Sequence, residues 1–289
     1  MNSSSFVQDE NRPNCCRMAV CFGLFSAFVL AIMSPGIMGC RTTRHVGARA
    51  QCKEGVATGF INKTMQVRGE TRRYVVYVPF EYTPEKPWPL ILFLHGVGES
   101  GDDGLLQTTV GIGPAIRRHP ELFPCLVVMP QCPKGKFYDS IIEDLETCLE
   151  QTRKEYNVDH KRMYLTGLSM GGYGTWIWGA TKTDTFAALM PVCGGGVMLD
   201  MQLFIGAGSE EPFGTFEERV KRLATVPIWA FHGAKDTTVP PSRSQQMVKV
   251  VREAGGNVKY TEFPDMAHNA WDKVYPDPEV MHWLLSQHK

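Results

Sequence analysis

Short, nearly continuous apolar runs alternate along this chain with segments of helical periodicity, and this alternation restricts the fold more than any other feature. Such runs are typical of strands buried on both faces of a parallel sheet, and the segments between them supply the covering helices. The predicted strands are residues 88–95, 125–130, 162–168, 186–192, 227–232 and 258–263. The predicted helices are residues 140–156, 170–181, 215–224, 241–255 and 279–287. This order predicts an α/β fold with a mostly parallel central sheet and helices on both faces.

A further pair of strands is predicted ahead of this alternation. Residues 60–68 and 72–79 are rich in β-branched and aromatic side chains, and the turn residues Gly69 and Glu70 lie between them. Two such runs favour an N-terminal antiparallel hairpin at the edge of the sheet. The chain of 289 residues is 43% hydrophobic and 21% charged, as expected of a globular protein, and we predict one domain over residues 59–289.

Charge gives no reason to expect a nucleic-acid partner. Lysine and arginine number 30, aspartate and glutamate also number 30, and the formal net charge is zero. Proteins that bind a polyanion through bulk charge carry a basic excess, so we expect no nucleic acid among the partners of this chain.

The first forty residues have the composition of an export signal. Arg12 and Arg17 precede an uncharged stretch, residues 18–40, whose most apolar part is residues 18–33. That length suits a secretory signal, and the Ser-Pro-Gly run at residues 34–36 would break a membrane-spanning helix. We therefore predict that residues 1–40 are a signal peptide, with an uncleaved N-terminal anchor as the alternative.

The end of this segment resembles a bacterial lipobox. In such a motif a small residue precedes a cysteine that is lipidated and becomes the new N-terminus, and here the run Ile37-Met38-Gly39-Cys40 ends on the candidate cysteine. Met38 is bulkier than the residue usual at its position. We expect an exported, membrane-anchored lipoprotein attached through Cys40, with residues 41–58 as a linker.

The candidate nucleophile is Ser169, in the run Gly-Leu-Ser-Met-Gly from Gly167 to Gly171. This run follows a predicted strand and opens a predicted helix, which is the setting that a nucleophile elbow requires. The two glycines suit a strained turn where a neighbouring Cβ would collide.

A serine hydroxyl needs a base, and the base needs an acid to orient it. Asp236 follows the predicted strand at 227–232, and His268 follows the strand at 258–263, so both lie in loops at carboxyl ends of strands. The order serine, acid, histidine is the order this chemistry takes on an α/β sheet. We predict Asp236 as the acid and His268 as the base.

Other residues could take these two roles. Asp200 follows no clear strand, and Asp265 is only three residues from the predicted base. His95 and His232 each precede a glycine at a strand end, where a packed, hydrogen-bonded histidine is the expected role, and His282 falls in a predicted helix.

The negative oxygen of a tetrahedral intermediate requires two amide donors. One should be the N–H of Met170, directly after the nucleophile, where the following helix adds its positive end. The other should be the N–H of Val97, in the glycine-rich loop after the strand at 88–95. We predict these two amides as the oxyanion hole.

Several runs together resemble a bacterial carboxylesterase family close to phospholipase/carboxylesterases, dienelactone-hydrolase-like enzymes and polyhydroxybutyrate-depolymerase or feruloyl-esterase relatives. The runs lie at residues 94–104, 129–133, 167–172, 231–240 and 266–268. The resemblance covers residues 74–288 and implies the α/β-hydrolase fold, a Ser/Asp/His triad, a small-molecule or polymer-linked ester substrate and no cofactor or metal. Dienelactone hydrolases proper use a cysteine nucleophile, and serine at position 169 departs from that chemistry.

Two other functions stay open at this point. The same machinery would serve a serine peptidase of the prolyl-oligopeptidase kind, and the fold could also serve a catalytically inactive binding protein. Glu99, Asp102 and Asp103 are expected to be solvated loop residues, because no histidines cluster with them. An exported protein can hold disulfides, but the odd number of cysteines beyond residue 40 leaves at least one thiol free. The favoured expectation is that all five are free and buried: Cys52, Cys125, Cys132, Cys148 and Cys193.

Overall fold

A mostly parallel sheet organises the part of the chain that the computed structural model describes, residues 55–196 and 216–289. These residues belong to one compact unit, Gln51–Lys289. The predicted signal, the lipidation candidate Cys40, Cys52 and the rival acid Asp200 lie outside the described residues, as does most of the predicted linker. None of the helices in the described part is long and apolar enough to cross a membrane.

Eight strands are present among the described residues. They are β1 (Gly59–Val67), β2 (Glu70–Val78), β3 (Trp88–Leu94), β4 (Leu126–Pro130), β5 (Val158–Leu168), β6 (Ala188–Val192), β7 (Ile228–Gly233) and β8 (Val258–Phe263). Their order in the sheet is β1-β2-β4-β3-β5-β6-β7-β8. The six strands β3 to β8 run parallel to one another. The strand β1 pairs with β2, and β2 with β4, in antiparallel fashion.

The helices of the described residues cover both faces of this sheet. They are α1 (Ile112–Arg118), α2 (Ile142–Glu155), α3 (Met170–Thr181), α4 (Phe216–Leu223), α5 (Ser242–Glu253), α6 (Trp271–Val274) and α7 (Pro278–Ser286). Short 3₁₀ turns lie at Val97–Glu99, Leu106–Thr108 and Pro120–Leu122. The predicted fold, an α/β-hydrolase fold with a mostly parallel sheet and helices on both sides, is confirmed.

Alternate side chains of the buried strands point to opposite faces of the sheet and pack into two separate hydrophobic cores. Leu90, Leu92 and Leu94 of β3 join one cluster with residues of α2, α3 and α5. Ile91 and Phe93 join the other, with residues of α1, α6 and α7. Each fully buried leucine or phenylalanine contributes about 2 kcal/mol of transfer free energy, so both faces need their helices.

The N-terminal hairpin is confirmed, but its turn lies one residue earlier than expected. Val67 pairs with Glu70, which leaves Arg68 and Gly69 as the turn, with φ angles of 51° and 80°. A two-residue hairpin turn with positive φ at both residues matches the right-handed twist of the flanking strands, and this turn sets the register of the hairpin. Glu70 is therefore the first residue of β2 and not part of the turn.

Two helices were not predicted from the sequence. The helix α1 contains Gly113 and Pro114, and the sequence pattern does not predict a helix where these residue types occur. Pro114 lies in the first turn, where a missing N–H costs nothing. The helix α6 has only four residues, too few to show a period.

Candidate active site

Ser169 lies in a strained turn between β5 and α3. Its φ and ψ angles are 54° and −118°, and a positive φ is rare for a residue with a side chain. A Cβ on Gly167 would lie 2.4 Å from the carbonyl oxygen of Gly171, and a Cβ on Gly171 would lie 1.9 Å from that of Leu94. The two glycines let the main chain close tightly, and this turn holds the serine at the carboxyl end of the sheet.

The structure brings His268 and Asp236 to this serine. The Nε2 atom of His268 lies 2.9 Å from Oγ of Ser169, and its Nδ1 atom lies 2.6 Å from Oδ2 of Asp236. The carboxylate accepts from Nδ1–H, so Nε2 is free to accept the proton of the serine hydroxyl. The three groups form one continuous chain of hydrogen bonds across loops that follow β5, β7 and β8.

Asp236 is a buried carboxylate with four N–H donors. Oδ1 accepts from the backbone N–H of Thr238 and of Val239, both at 2.9 Å. Oδ2 accepts from His268 and, at 3.2 Å, from Nε2 of His232. Burial alone would raise the pKa of Asp236, but the hydrogen bonds from His232, His268 and Val239 outweigh it and hold the pKa well below its usual range. The carboxylate is therefore ionised at neutral pH.

Val97 and Met170 are each the first residue of a helical turn. Met170 begins α3, and Val97 begins the 3₁₀ turn after β3, so neither N–H has an acceptor within its own turn. The loop of Val97 lies against Ser169, since a Cβ on Gly96 would be 3.7 Å from Cβ of Ser169. Both amides thus belong to turns that meet at Ser169, and their role in binding an oxyanion stays a prediction.

His95 holds the loop of Val97 in place, as expected of a packed histidine. It is fully buried, its Nε2 accepts the N–H of Cys132 at 2.9 Å, and its Nδ1 donates to the carbonyl oxygen of Gly96 at 2.6 Å. Burial lowers the pKa of His95 to about 4. The ring is therefore neutral at pH 7, with its proton on Nδ1.

Gln131 is a supporting residue that the sequence did not reveal. Its Oε1 accepts the N–H of Gly104 at 2.6 Å, and its Nε2 donates to the carbonyl oxygen of Glu99 at 3.1 Å. The buried amide thus ties both ends of the glycine-rich loop to the end of β4. Its position directly after a predicted strand was the signal that could have found it.

Three buried groups with metal-binding chemistry meet beside Asp236. Ligand atoms of Cys193, His232 and Asp236 lie within 4.8 Å of one another. Both ring nitrogens of His232 already have partners, and burial raises the pKa of the Cys193 thiol to about 12. These residues do not suit a resident metal ion, because each would first have to give up a hydrogen bond or a tightly held proton.

Two of the rival residues, Asp265 and His282, are exposed and outside this chain of hydrogen bonds. Asp265 is exposed, with Lys235 at 3.5 Å, and His282 is exposed on α7. Of the acidic loop residues, Asp102 and Asp103 are exposed, while Glu99 is half-buried and accepts the Gly96 N–H. The cysteines of the described part are free and buried, as expected: Cys125, Cys132, Cys148 and Cys193.

The tryptophans near the site differ in burial. Trp176 and Trp178 of α3 are buried in the core. Trp271 is partly exposed and packs edge-on against the His268 ring, with ring centroids 5.1 Å apart. Trp271 therefore supports the imidazole and presents an aromatic surface beside it.

Known proteins resemble this chain at the level of sequence family and fold. Residues 134–287 match the prolyl oligopeptidase family. The bifunctional acetylxylan esterase/xylanase XynS20E of Neocallimastix patriciarum is 27% identical over 202 residues, 67% of this chain and 26% of that protein. The uncharacterized peptidase YuxL of Bacillus subtilis (strain 168) is 26% identical over 161 residues, 50% of this chain and 24% of that protein.

A solved structure extends the similarity. The crystal structure of a thermostable esterase is 31% identical, covers 80% of this chain and 63% of its own, and superposes with a TM-score of 0.68. The chain spans about a quarter of the length of the two curated relatives. The similarity therefore lies in one unit of larger proteins.

Proposed function

The chain belongs to the prolyl oligopeptidase family, and from that premise we propose that it hydrolyses carboxylic esters with Ser169 as nucleophile, His268 as general base and Asp236 as the acid that orients the base. The observation that carries the proposal is the continuous chain of hydrogen bonds, 2.9 Å and 2.6 Å long, that begins at the strained serine. The similarity to the thermostable esterase and to the acetylxylan esterase supports ester hydrolysis as the reaction.

The first half of the reaction transfers the acyl group to the enzyme. Nε2 of His268 takes the proton of the Ser169 hydroxyl as its oxygen attacks the ester carbonyl carbon. The tetrahedral intermediate then collapses, the bond to the alcohol oxygen breaks, and the imidazolium returns the proton to that oxygen. The alcohol leaves, and the acyl group remains on Ser169 as an ester.

The second half releases the acid. Water attacks the acyl-enzyme carbonyl while His268 removes one of its protons, and the collapse of the second intermediate returns that proton to Oγ of Ser169. The Asp236 carboxylate stays ionised throughout and stabilises the imidazolium that forms twice in each cycle.

Both tetrahedral intermediates carry a negative oxygen, which the N–H groups of Val97 and Met170 are proposed to bind. A donor of this kind contributes about 3 kcal/mol of transition-state stabilisation. The N-terminus of α3, at Met170, adds the positive end of a helix dipole. The loop that carries Val97 is held by His95 and Gln131, so this donor needs no rearrangement when the charge develops.

The decisive test is the variant Ser169→Ala. With p-nitrophenyl acetate, we expect kcat/KM to fall by about 10⁴-fold or more. A fluorophosphonate probe should label the wild type and leave this variant unlabelled. Intact turnover in the variant would sink the mechanism, and a wild type that neither labels nor hydrolyses esters would point to a binding protein with an inactive site.

The substrate is proposed to be a small or polymer-linked ester, with plant polysaccharide esters as the favoured class. The similarity to the bifunctional acetylxylan esterase/xylanase supports this choice. A panel of acetyl, feruloyl, long-acyl and polyester substrates would test it, and the highest kcat/KM should fall on the acetyl or feruloyl esters. A clear preference for long acyl chains or polyesters would contradict it.

A serine peptidase is the second candidate function. The family match and the similarity to the peptidase YuxL favour it, since the same three groups would cleave an amide. Comparison of kcat/KM for matched ester and peptide substrates separates the two. A preference for peptides, after allowance for the greater intrinsic reactivity of esters, would replace the esterase proposal.

Export and lipidation at Cys40 complete the proposal, and they are based on the sequence alone. In a bacterial host fed radiolabelled palmitate, the wild type should incorporate label and partition with membranes. The variant Cys40→Ala should lose the label, and Cys52→Ala is the matched control that should keep it. Label in Cys40→Ala would contradict lipidation at Cys40.

A further inference from the structure

His232 lies beside Asp236 and has no part in the chemistry proposed above. It is the last residue but one of β7, and its side chain is fully buried. Its Nε2 atom lies 2.9 Å from the carbonyl oxygen of Val239 and 3.2 Å from Oδ2 of Asp236. A carbonyl oxygen and an ionised carboxylate can only accept, so this nitrogen must carry a proton.

The other ring nitrogen, Nδ1, also carries a proton, because the hydroxyl hydrogen of its partner Ser244 is already donated elsewhere. Nδ1 lies 2.8 Å from Oγ of Ser244 on α5, and the same Oγ lies 2.8 Å from the carbonyl oxygen of Gly194. The serine hydroxyl has one hydrogen, and the carbonyl oxygen has none to give. The serine must donate to Gly194, and Nδ1–H must then donate to the serine.

Carboxylates near His232 supply the negative charge that stabilises an imidazolium. Asp236 follows the same strand and supplies a carboxylate at 3.2 Å, and Glu262 faces it from β8 at the paired position. The Cys193 thiol approaches from the end of β6, α5 contributes the uncharged Ser244 hydroxyl, and His268 shares the Asp236 carboxylate. A buried cation is tolerated where an ion pair and hydrogen bonds compensate it, as they do here.

We propose that His232 is a positioning residue of this site, a doubly protonated imidazolium that shares the Asp236 carboxylate with the base His268. This inference rests on the ester hydrolysis proposed above. The four donors fix the orientation of the carboxylate, and the positive charge of His232 offsets part of the negative charge that His268 senses. The positive charge of His232 thus also opposes a second positive charge on the ring of His268.

The protonation of His232 can be observed directly. In ¹⁵N-labelled full-length protein at about pH 7, a ¹⁵N–¹H correlation spectrum should show two ring N–H signals for His232. They are identified by their disappearance in His232→Gln or, if that variant does not fold, by through-bond correlation within the ring in the wild type. A single ring N–H signal would overturn the proposal, whatever the activity of the protein.

The effect on the base is tested by the pH dependence of kcat/KM for p-nitrophenyl acetate. In His232→Gln the midpoint of the acid limb should move upward by about 1 pH unit, because a neutral donor replaces a cation. Ser244→Ala removes the acceptor of Nδ1–H, which favours loss of that proton, and should move the midpoint in the same direction by less. A uniform loss of activity with an unmoved acid limb would assign His232 a purely structural role and overturn the proposal.

A matched control separates this effect from the loss of any buried hydroxyl. Thr152 on α2 is buried, and its Oγ1 donates to the carbonyl oxygen of Cys148 at 2.7 Å. Thr152→Ala should leave the acid limb where it is, and a shift equal to that of Ser244→Ala would count against the proposal. Fluorophosphonate labelling of Ser169 reports on the proposed reaction itself, so its failure is distinguished from a failure of the His232 inference.

Discussion

Nδ1 of His268 lies 2.6 Å from Oδ2 of Asp236, and this contact determines which ring nitrogen faces Ser169. The variant Asp236→Asn removes the charge and places an amide beside the ring, which favours the wrong tautomer. We expect kcat for p-nitrophenyl acetate to fall by about 10⁴-fold with little change in KM. The control is Asp265→Asn, in an exposed group three residues from the base, and its kinetics should match the wild type. A loss below tenfold in Asp236→Asn would contradict the assignment.

The proposed oxyanion donor on Val97 can be removed with little change in geometry. Val97 begins a 3₁₀ turn, and the preceding Gly96 has an extended conformation, φ −81° and ψ 178°, that a following proline accepts. In Val97→Pro the N–H is lost, and kcat should fall about 10²-fold. Val97→Ala keeps the N–H and reports on the exposed side chain alone. Equal losses in the two variants would assign the effect to the side chain.

The elbow should tolerate no side chain at Gly171. A Cβ there would meet the carbonyl oxygen of Leu94 at 1.9 Å, so α3 would have to move away from β3. We expect Gly171→Ala to lower the free energy of unfolding by about 3 kcal/mol or more, although alanine is the better helix former. Gly98→Ala is the matched control, because nothing lies within 4 Å of its Cβ position. Urea denaturation measures both, and similar values for the two would refute this account of the turn.

Stability should fall in mild acid because of His95. Burial lowers the pKa of this histidine to about 4 from an ordinary 6.5, so the unfolded chain gains a proton that the folded state still excludes. Stability is therefore lost as pH falls from about 6.5 to about 4, by at most about 3 kcal/mol from this group. In His95→Gln, whose side-chain oxygen can accept the Cys132 N–H, this part of the pH dependence should disappear. Urea denaturation across that range checks it, and an identical slope in both proteins would rule it out.

The sequence predicted the elements that depend on local patterns. The strands β3 to β8 and their main covering helices follow from hydrophobic runs and periods, which are short-range properties. The helix α1 was missed because Gly113 and Pro114 are unusual in helices. The start of β5 at Val158 was missed because the next four residues, 159–162, are polar and partly or fully exposed. The order of the strands in the sheet depends on long-range pairing, and no local pattern contains it.

The candidate site shows the same division. Ser169, Asp236 and His268 could be found because each follows a strand and the three occur in a known order. The contacts of Gln131, His232 and Ser244 could not, because, apart from Asp236 four residues after His232, their partners lie 7 to 50 residues away and meet only when the sheet has formed. A buried polar side chain is recognisable as a support only when its partners are known.

The close approach of α3 to the sheet has a consequence for how this molecule can be altered. Carbonyl groups of Leu94 and Val192 lie against Gly171 and Gly172, so main-chain contacts determine the position of Ser169 relative to the sheet. Repacking of distant leucines and valines should change resistance to heat while the hydroxyl keeps its place. We therefore expect that thermal tolerance can be changed in this scaffold without displacing Ser169.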